Sequence, residues 1–266
     1  MIKKCLLLAC LIIPCLSFAE DTETLEHKAT TPLQNSANYD ALLWYRSSAE
    51  AKVIYPQIFN NAYDQIMDNV AESGLKTHAW AVIFALDGTL LDNSTTKVAQ
   101  MLAHSNASED IHQNIESPNY YMVLPGASEI SCDLKDAGAR IIIITNRNGS
   151  INNKNLNMIS STQENLKQQH ICYDSIIFAT HASDTNKNPR FSAVINGDYE
   201  NVITTKTLPP LPIMGYFGSD IQDFPNFKQN TAHDYPADSD LFDDFGYKYF
   251  MLPNPTQGSW LNNRLK

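Results

Sequence analysis

The stretch at residues 80–94, WAVIFALDGTLLDNS, decides the fold that we predict for this chain. Its first seven residues form an unbroken apolar run rich in β-branched and aromatic side chains, and the run ends abruptly at Asp87-Gly88-Thr89. Such a run is typical of a strand that is buried on both faces of a parallel sheet. Because ligands of open α/β sheets bind beyond the carboxyl ends of the strands, Asp87 is the first candidate site residue.

The rest of the chain alternates apolar, strand-like runs with helical segments. Apolar residues recur mostly at spacings of three and four over residues 39–70, which predicts a pair of amphipathic helices. We therefore predict an α/β fold, a doubly wound parallel sheet of about five strands with an N-terminal helical elaboration at residues 39–75. Weaker helical periodicity over about 95–120 interrupts the alternation, as a helical cap inserted over a site would. The further strands are predicted at residues 139–145, 175–179, 211–217 and 247–252.

The N-terminal segment has the features of an export signal. Residues 1–19 contain Lys3 and Lys4, then an apolar span, then Ser17-Phe18-Ala19, which predicts a secretory signal peptide cleaved near Ala19 and a periplasmic or secreted mature protein. A lipoprotein cut before Cys10 is the alternative. Residues 20–38 are polar and lack periodicity, so we predict a flexible tether there and a single domain over residues 39–266.

Charge and cysteine content restrict the function classes. The formal net charge is −10, and removing the signal peptide with its two lysines makes it about −12. A general basic surface for nucleic acid is therefore excluded. No run after the signal peptide approaches the roughly 20 apolar residues of a membrane helix. Cys132 and Cys172 remain in the mature chain, and the sequence allows two alternatives, one disulfide or two unpaired thiols.

The stretch around Asp87 resembles motif I of the haloacid dehalogenase (HAD) phosphatases, a hydrophobic strand followed by D-x-D-x-T. The resemblance implies that the first Asp attacks phosphorus and that the second acts as general acid and base. In this chain the second Asp is Asp87, and the nucleophile position is occupied by Ala85. A methyl group cannot attack phosphorus.

Four further segments are similar to class C acid phosphatases, a secreted bacterial branch that includes lipoprotein nucleotidases. They are LWYRSSAE at residues 43–50, LDNS at 91–94, TNR at 145–147, and LPNP at 252–255 with GSW at 258–260. The resemblance covers residues 39–260 in the family's order. It implies a phosphate-binding role for Thr145, Asn146 and Arg147, and for the two cations Lys187 and Arg190, of which Lys187 is the better placed to neutralise phosphoryl oxygens.

The resemblance also implies magnesium, held by the nucleophile's carboxylate, the backbone carbonyl of the second Asp and an Asp in motif IV. Here motif IV reads GSDIQDF at residues 218–224, with Ser219 at the ligand position. Asp87, Asp220 and Asp223 are the remaining candidate metal ligands. We expect weak or lost magnesium binding, because hard cations need an array of oxygen ligands that includes carboxylates.

Two positions at the substrate end also depart from the family. The family commonly has an aromatic residue where this chain has Thr96, and a Tyr where it has Gln257. In the nucleotidase members such rings sandwich a base, which is worth about 1–3 kcal/mol per base. A preference for nucleotides is therefore not implied for this chain.

These observations lead to two hypotheses. The first is an exported acid phosphatase-like protein with weak or no hydrolysis that still binds a small phosphorylated ligand. The alternative is an active phosphomonoesterase that uses Asp87 or Asp220 in new roles, with water as the nucleophile.

Overall fold

The structure, a computed structural model, describes residues 38–98, 121–154 and 156–263. The predicted signal peptide, the predicted tether before residue 38 and the predicted cap-like insertion from residue 99 onward lie outside these residues. The two helices predicted over residues 39–70 are α1 (Tyr39–Ser47) and α2 (Ala49–Glu72). Ser48 separates them, because its extended backbone ends α1 and its side-chain oxygen accepts a hydrogen bond from the Ala51 amide at the start of α2.

The main sheet has six strands in the order β6-β5-β4-β1-β7-β8, and only the edge strand β6 is antiparallel. The predicted doubly wound α/β fold is confirmed, although the prediction of about five strands missed β6, which has only two residues. Two further short strands, β2 and β3, form a separate antiparallel pair. The strands are β1 (Ala81–Ala85), β2 (Leu91–Asp92), β3 (Met122–Val123), β4 (Arg140–Asn148), β5 (Ser175–Ala179), β6 (Ile203–Thr204), β7 (Ile213–Gly218) and β8 (Tyr249–Met251).

Helices connect the strands of the sheet and cover it. The helices are α3 (Ala127–Asp136), α4 (Met158–Gln168), α5 (Asn188–Asn196) and the short α6 (Gln229–Ala232). Two short 3-10 helices, Ile221–Asp223 and Asp240–Phe242, lie between β7 and β8, and a third, Ser259–Asn262, follows β8. Within the described ranges, every helix is too short or too polar to cross a membrane.

Burial of β1 on both faces explains its apolar sequence. All five of its residues are buried, and successive side chains point to opposite sides of the sheet. Val82 and Phe84 belong to the cluster that packs against α2, and Phe84 stacks on Phe217 of β7 with ring centroids 4.4 Å apart. Ile83 belongs to the opposite cluster, which includes Phe191 of α5.

The chain adds strands first on one side of β1 and later on the other, so the topological switch point of the sheet lies at the carboxyl end of β1. From β1 the chain adds β4 and β5 on one side, and it later adds β7 and β8 on the other. Helices therefore leave in opposite directions from neighbouring strands, which opens a crevice beyond their carboxyl ends. The sheet thus places the residues that follow β1, β4 and β7 around one crevice.

A disulfide joins Cys132 of α3 to Cys172, which lies in the loop between α4 and β5. The two residues are 40 positions apart in the chain, so the bond closes a long loop that contains β4 and α4. Of the two alternatives that the sequence left open, the structure has the disulfide.

We expect the double substitution Cys132→Ser and Cys172→Ser to lower the free energy of unfolding by about 2–4 kcal/mol, because the bond restricts the unfolded chain. Urea denaturation of the two proteins measures the change. Reductant serves as the control, since it should shift the midpoint of the wild type and leave that of the variant unchanged. Equal midpoints for both proteins without reductant would contradict the prediction.

Candidate active site

A cavity of about 500 Å³ opens at the carboxyl ends of β1, β4 and β7. Its size is that of a small-molecule site. Most of its wall is polar, and the three carboxylates and the lysine predicted from the sequence lie in it. The lining residues are Leu86, Asp87, Asn93, Thr145, Asn146, Thr185, Lys187, Ser219, Asp220, Gln222, Asp223, Gln257, Gly258, Ser259 and Asn262.

Gly88 allows two walls of the cavity to approach the turn that follows β1. Its φ is +79°, a left-handed conformation that favours glycine. A Cβ atom here would lie 2.4 Å from Asn254 Nδ2 and 2.7 Å from Ser219 Oγ. A side chain at this position would therefore displace Asn254 or Ser219.

Arg147 holds the carboxylate of Asp87 through two hydrogen bonds. Its Nη2 lies 2.6 Å from Asp87 Oδ1, and its Nε lies 3.0 Å from Oδ2. The guanidinium also donates to Thr162 Oγ1 and lies 5.1 Å from the ring centroid of Tyr121. Asp87, the predicted acid–base residue, thus forms a bidentate ion pair with Arg147. Arg147 itself is not among the residues that line the cavity.

Tyr121 connects this ion pair to Thr96. The Tyr121 hydroxyl and Thr96 Oγ1 share a hydrogen bond of 2.7 Å. Burial, the largest effect, raises the pKa of Tyr121, so the hydroxyl stays protonated at neutral pH. Thr96, which replaces a common aromatic of the family, therefore positions an aromatic ring that follows later in the chain.

Lys187 and Asp223 form a second ion pair, which is almost completely buried. Lys187 Nζ lies 2.6 Å from Asp223 Oδ1, and the two side chains are 5% and 10% exposed. The other carboxylate oxygen of Asp223 accepts hydrogen bonds from the backbone amides of Ser219 and Asp220. One lysine N–H is therefore taken by Asp223, and its other two donors remain for a ligand in the cavity.

The carboxylate of Asp220 is held by the C-terminal segment. Asp220 Oδ1 accepts from Ser259 Oγ at 2.7 Å and from the Gln222 amide at 2.8 Å, and Oδ2 accepts from the Ser259 amide. These bonds fasten the loop after β7 to the turn at Gly258-Ser259. Sequence reasoning noted Ser259 as part of a signature but missed this contact, since nothing in a linear pattern pairs residues so far apart.

Arg190 lies beneath the cavity and does not line it. Its side chain is 2% exposed and donates to the carbonyl of Thr145 and to Asn146 Oδ1. Burial, the largest effect, lowers the pKa of Arg190, and Asp184 opposes that shift. Of the two cations predicted to bind phosphate, Lys187 thus lines the cavity, whereas Arg190 contacts Thr145 and Asn146 behind it.

The described residues do not fit the magnesium site of the family. Magnesium needs about six oxygen ligands in near-octahedral array, usually with one or two carboxylates. Ala85 and Ser219 offer a methyl and a hydroxyl group at two ligand positions. The carboxylates of Asp87, Asp220 and Asp223 are held by the contacts described above, and within the described ranges no three His, Cys, Asp or Glu side chains form a group that could hold a metal ion.

Comparison with known proteins agrees with this fold and these motifs. The model of HAD superfamily subfamily IIIB, acid phosphatase, matches residues 10–260. A class C acid phosphatase from Bacillus anthracis with tungstate bound is similar in structure, with a TM-score of 0.65, 22% identity, and coverage of 86% of this chain and 87% of that one. A second structure of the B. anthracis enzyme gives a TM-score of 0.64, 23% identity and the same coverage. No curated protein sequence matches the chain.

The family match spans the signature segments, the six-stranded sheet and all of the described cavity-lining residues except Asn262. We conclude that the chain belongs to subfamily IIIB of the HAD superfamily, the acid phosphatases.

Proposed function

We propose that this protein is an exported, non-hydrolysing member of its family that binds a small phosphorylated ligand. The proposal rests on one observation: each of the three carboxylates that line the cavity is already held by groups of the chain itself. Asp87 is held by Arg147, Asp223 by Lys187, and Asp220 by Ser259. Asp87 and Asp223 are each paired with a cation, and both carboxylate oxygens of Asp220 accept hydrogen bonds, so all three are already engaged without a ligand.

Ala85 supports the loss of covalent chemistry. It ends β1, two residues before Asp87, at the nucleophile position of motif I. Removal of the nucleophile from another hydrolase that uses a covalent mechanism costs about a million-fold in turnover. The alternative, an active enzyme with rearranged residues, would need Asp87 to take a proton from water while its carboxylate is paired with Arg147.

Three groups with free hydrogen-bond donors support phosphate binding. The Thr145 hydroxyl accepts from the Arg147 amide and keeps its own proton to donate, and the Asn146 side chain keeps its NH₂ group because Arg190 binds its oxygen. Lys187 adds charge. Charge-assisted bonds of this kind are the strong ones for an oxyanion, and a structural relative has tungstate, a phosphate-like oxyanion, bound.

The disulfide supports export. Bonds of this kind persist in oxidising compartments such as the periplasm and the extracellular space. The pair Cys132–Cys172 is thus consistent with the predicted signal peptide at residues 1–19, and with the lipoprotein alternative at Cys10 equally.

We expect the mature protein to show no hydrolysis of an aryl phosphate above buffer, from acid to mildly basic pH and with or without divalent metals. The double variant Ala85→Asp with Ser219→Asp should bring turnover above that background, because it restores the nucleophile and a metal ligand. Release of the aryl alcohol measures both rates. The single variant Ser219→Asp is the matched control, since it lacks a nucleophile.

Rapid turnover by the wild type that is abolished by Asp87→Asn would overturn the proposal and favour the alternative enzyme. If the double variant stays inactive and also binds neither magnesium nor phosphate, the idea of a retained phosphate site fails.

We also expect inorganic phosphate to bind without added metal and in the presence of EDTA. Thr145→Val and Lys187→Met should each weaken this binding about 10-fold or more, because each removes a donor to an anion. Titration calorimetry measures the affinities, and Lys52→Met, at an exposed position of α2, is the control for lysine loss. Thr145→Val keeps the test valid if Lys187→Met, which leaves Asp223 buried and unpaired, fails to fold. Binding that requires a metal would contradict the prediction.

A further inference from the structure

The cavity carries neutral polar side chains that the charged pairs do not use. The side chains of Thr185, Ser219, Gln222 and Asn262 line it and make no hydrogen bond with any residue in the described ranges. None of them is a buried group that lacks a partner, so their donors and acceptors are open to solvent or to a ligand. Hydroxyl and side-chain amide groups can each donate and accept.

Two further amides are held in fixed orientations. Gln257 Oε1 accepts from Asn93 Nδ2 at 2.9 Å, so the NH₂ group of Gln257 is left unpaired. The backbone amide of Gln257 is fixed as well, because it donates to Asn254 Oδ1. Asn146 gives its oxygen to Arg190 and likewise keeps its NH₂ group. The side-chain NH₂ groups of Gln257 and Asn146 are therefore oriented before a ligand binds, which lowers the conformational entropy cost of binding.

The three aspartates that line the cavity outnumber the two cations bound to them, Arg147 and Lys187, so these five side chains give the site no net positive charge for a phosphorylated ligand. Three aspartates line it, and Lys187 is the one cation among its described lining residues. That lysine already shares its charge with Asp223. The neutral groups must therefore supply much of the binding free energy, through hydrogen bonds to the part of the ligand that is not phosphate.

The described part of the cavity wall offers no surface on which an aromatic base could stack. Among the described residues that line the cavity there is no aromatic ring. The ring of Tyr121 is covered by the guanidinium of Arg147, and its hydroxyl is bonded to Thr96. The indole of Trp260 donates to the carbonyl of Gln257 and packs against Gly258, outside the lining set.

We infer that the ligand is a phosphorylated polyol or sugar, whose hydroxyl groups bind the amides and hydroxyls of the wall. This inference rests on the proposed function and adds the chemical class of the ligand. A site built to bind hydroxyl groups discriminates strongly against a ligand that lacks them, because its own polar groups are then left unpaired.

Titration calorimetry on the mature, disulfide-bonded protein tests the inference with glucose 6-phosphate, AMP, inorganic phosphate and glucose as probes. We expect glucose 6-phosphate to bind at least about 10-fold more tightly than either phosphate or AMP. Gln222→Leu and Asn262→Leu should each lower the ratio of the glucose 6-phosphate affinity to the phosphate affinity about fivefold. Gln57→Leu, at an exposed position of α2, is the matched control and should leave the ratio unchanged.

The outcomes separate the two proposals. If neither phosphate nor any phosphorylated probe binds, the proposed function itself fails. If phosphate binds but AMP binds as tightly as glucose 6-phosphate, or the sugar adds nothing to the affinity of phosphate, the inference fails and the proposed function stands. Glucose 6-phosphate binding without measurable phosphate binding supports the inference. If glucose and glucose 6-phosphate bind with equal affinity, the phosphate group is not recognised, and both the proposed function and the inference fail.

Discussion

The burial of β1 between two parallel neighbours is the constraint on which the rest of the structure depends. Its side chains are sealed on both faces, and Phe84 stacks against Phe217 of the adjacent strand. A strand without a solvent-facing side can present polar groups only at its end. The carboxyl ends of β1, β4 and β7 therefore bring Asp87, Thr145 and Ser219 to one crevice, whatever chemistry those residues retain.

Two ion pairs lie at the crevice beyond the carboxyl ends of the strands. Arg147 neutralises Asp87, and Lys187 neutralises Asp223, with side-chain atoms 2.6 Å apart in both pairs. A buried charge without a partner is costly, so carboxylates that lose a cation must find another one or be lost. The two pairs account for two of the three aspartates in the cavity wall, and the third, Asp220, accepts hydrogen bonds from Ser259 and from the Gln222 amide. The same pairs engage Asp87 and Asp223, which is the observation on which the proposed absence of hydrolysis mainly rests.

Much of the fold could be predicted from the sequence, because apolar runs and helical spacing depend on local residue order. The strand β1, the helices α1 and α2, and the place of Asp87 at the cavity followed from such patterns, whereas Lys187 and Asp223 were identified through the family resemblance. The edge strand β6 was missed, since two residues carry no periodicity.

It was harder to predict which residues of the site bind one another than to predict which residues belong to the site. Arg147 was expected to bind phosphate and instead holds Asp87, and Arg190 lies beneath the site, bonded to Thr145 and Asn146. Whether a cation faces a ligand or a neighbouring residue depends on side-chain direction and burial. Motif spacing reports neither of these. The disulfide was likewise undecided until Cys132 and Cys172 were seen to lie together.

The glycine turn after β1 couples three loops that are far apart in the sequence. Because Gly88 has no side chain, Asn254 from the segment after β8 and Ser219 from the segment after β7 can both lie against this turn. A side chain at position 88 would displace them and would strain a backbone whose φ is +79°. One backbone position therefore sets the relative placement of the loops that follow β1, β7 and β8.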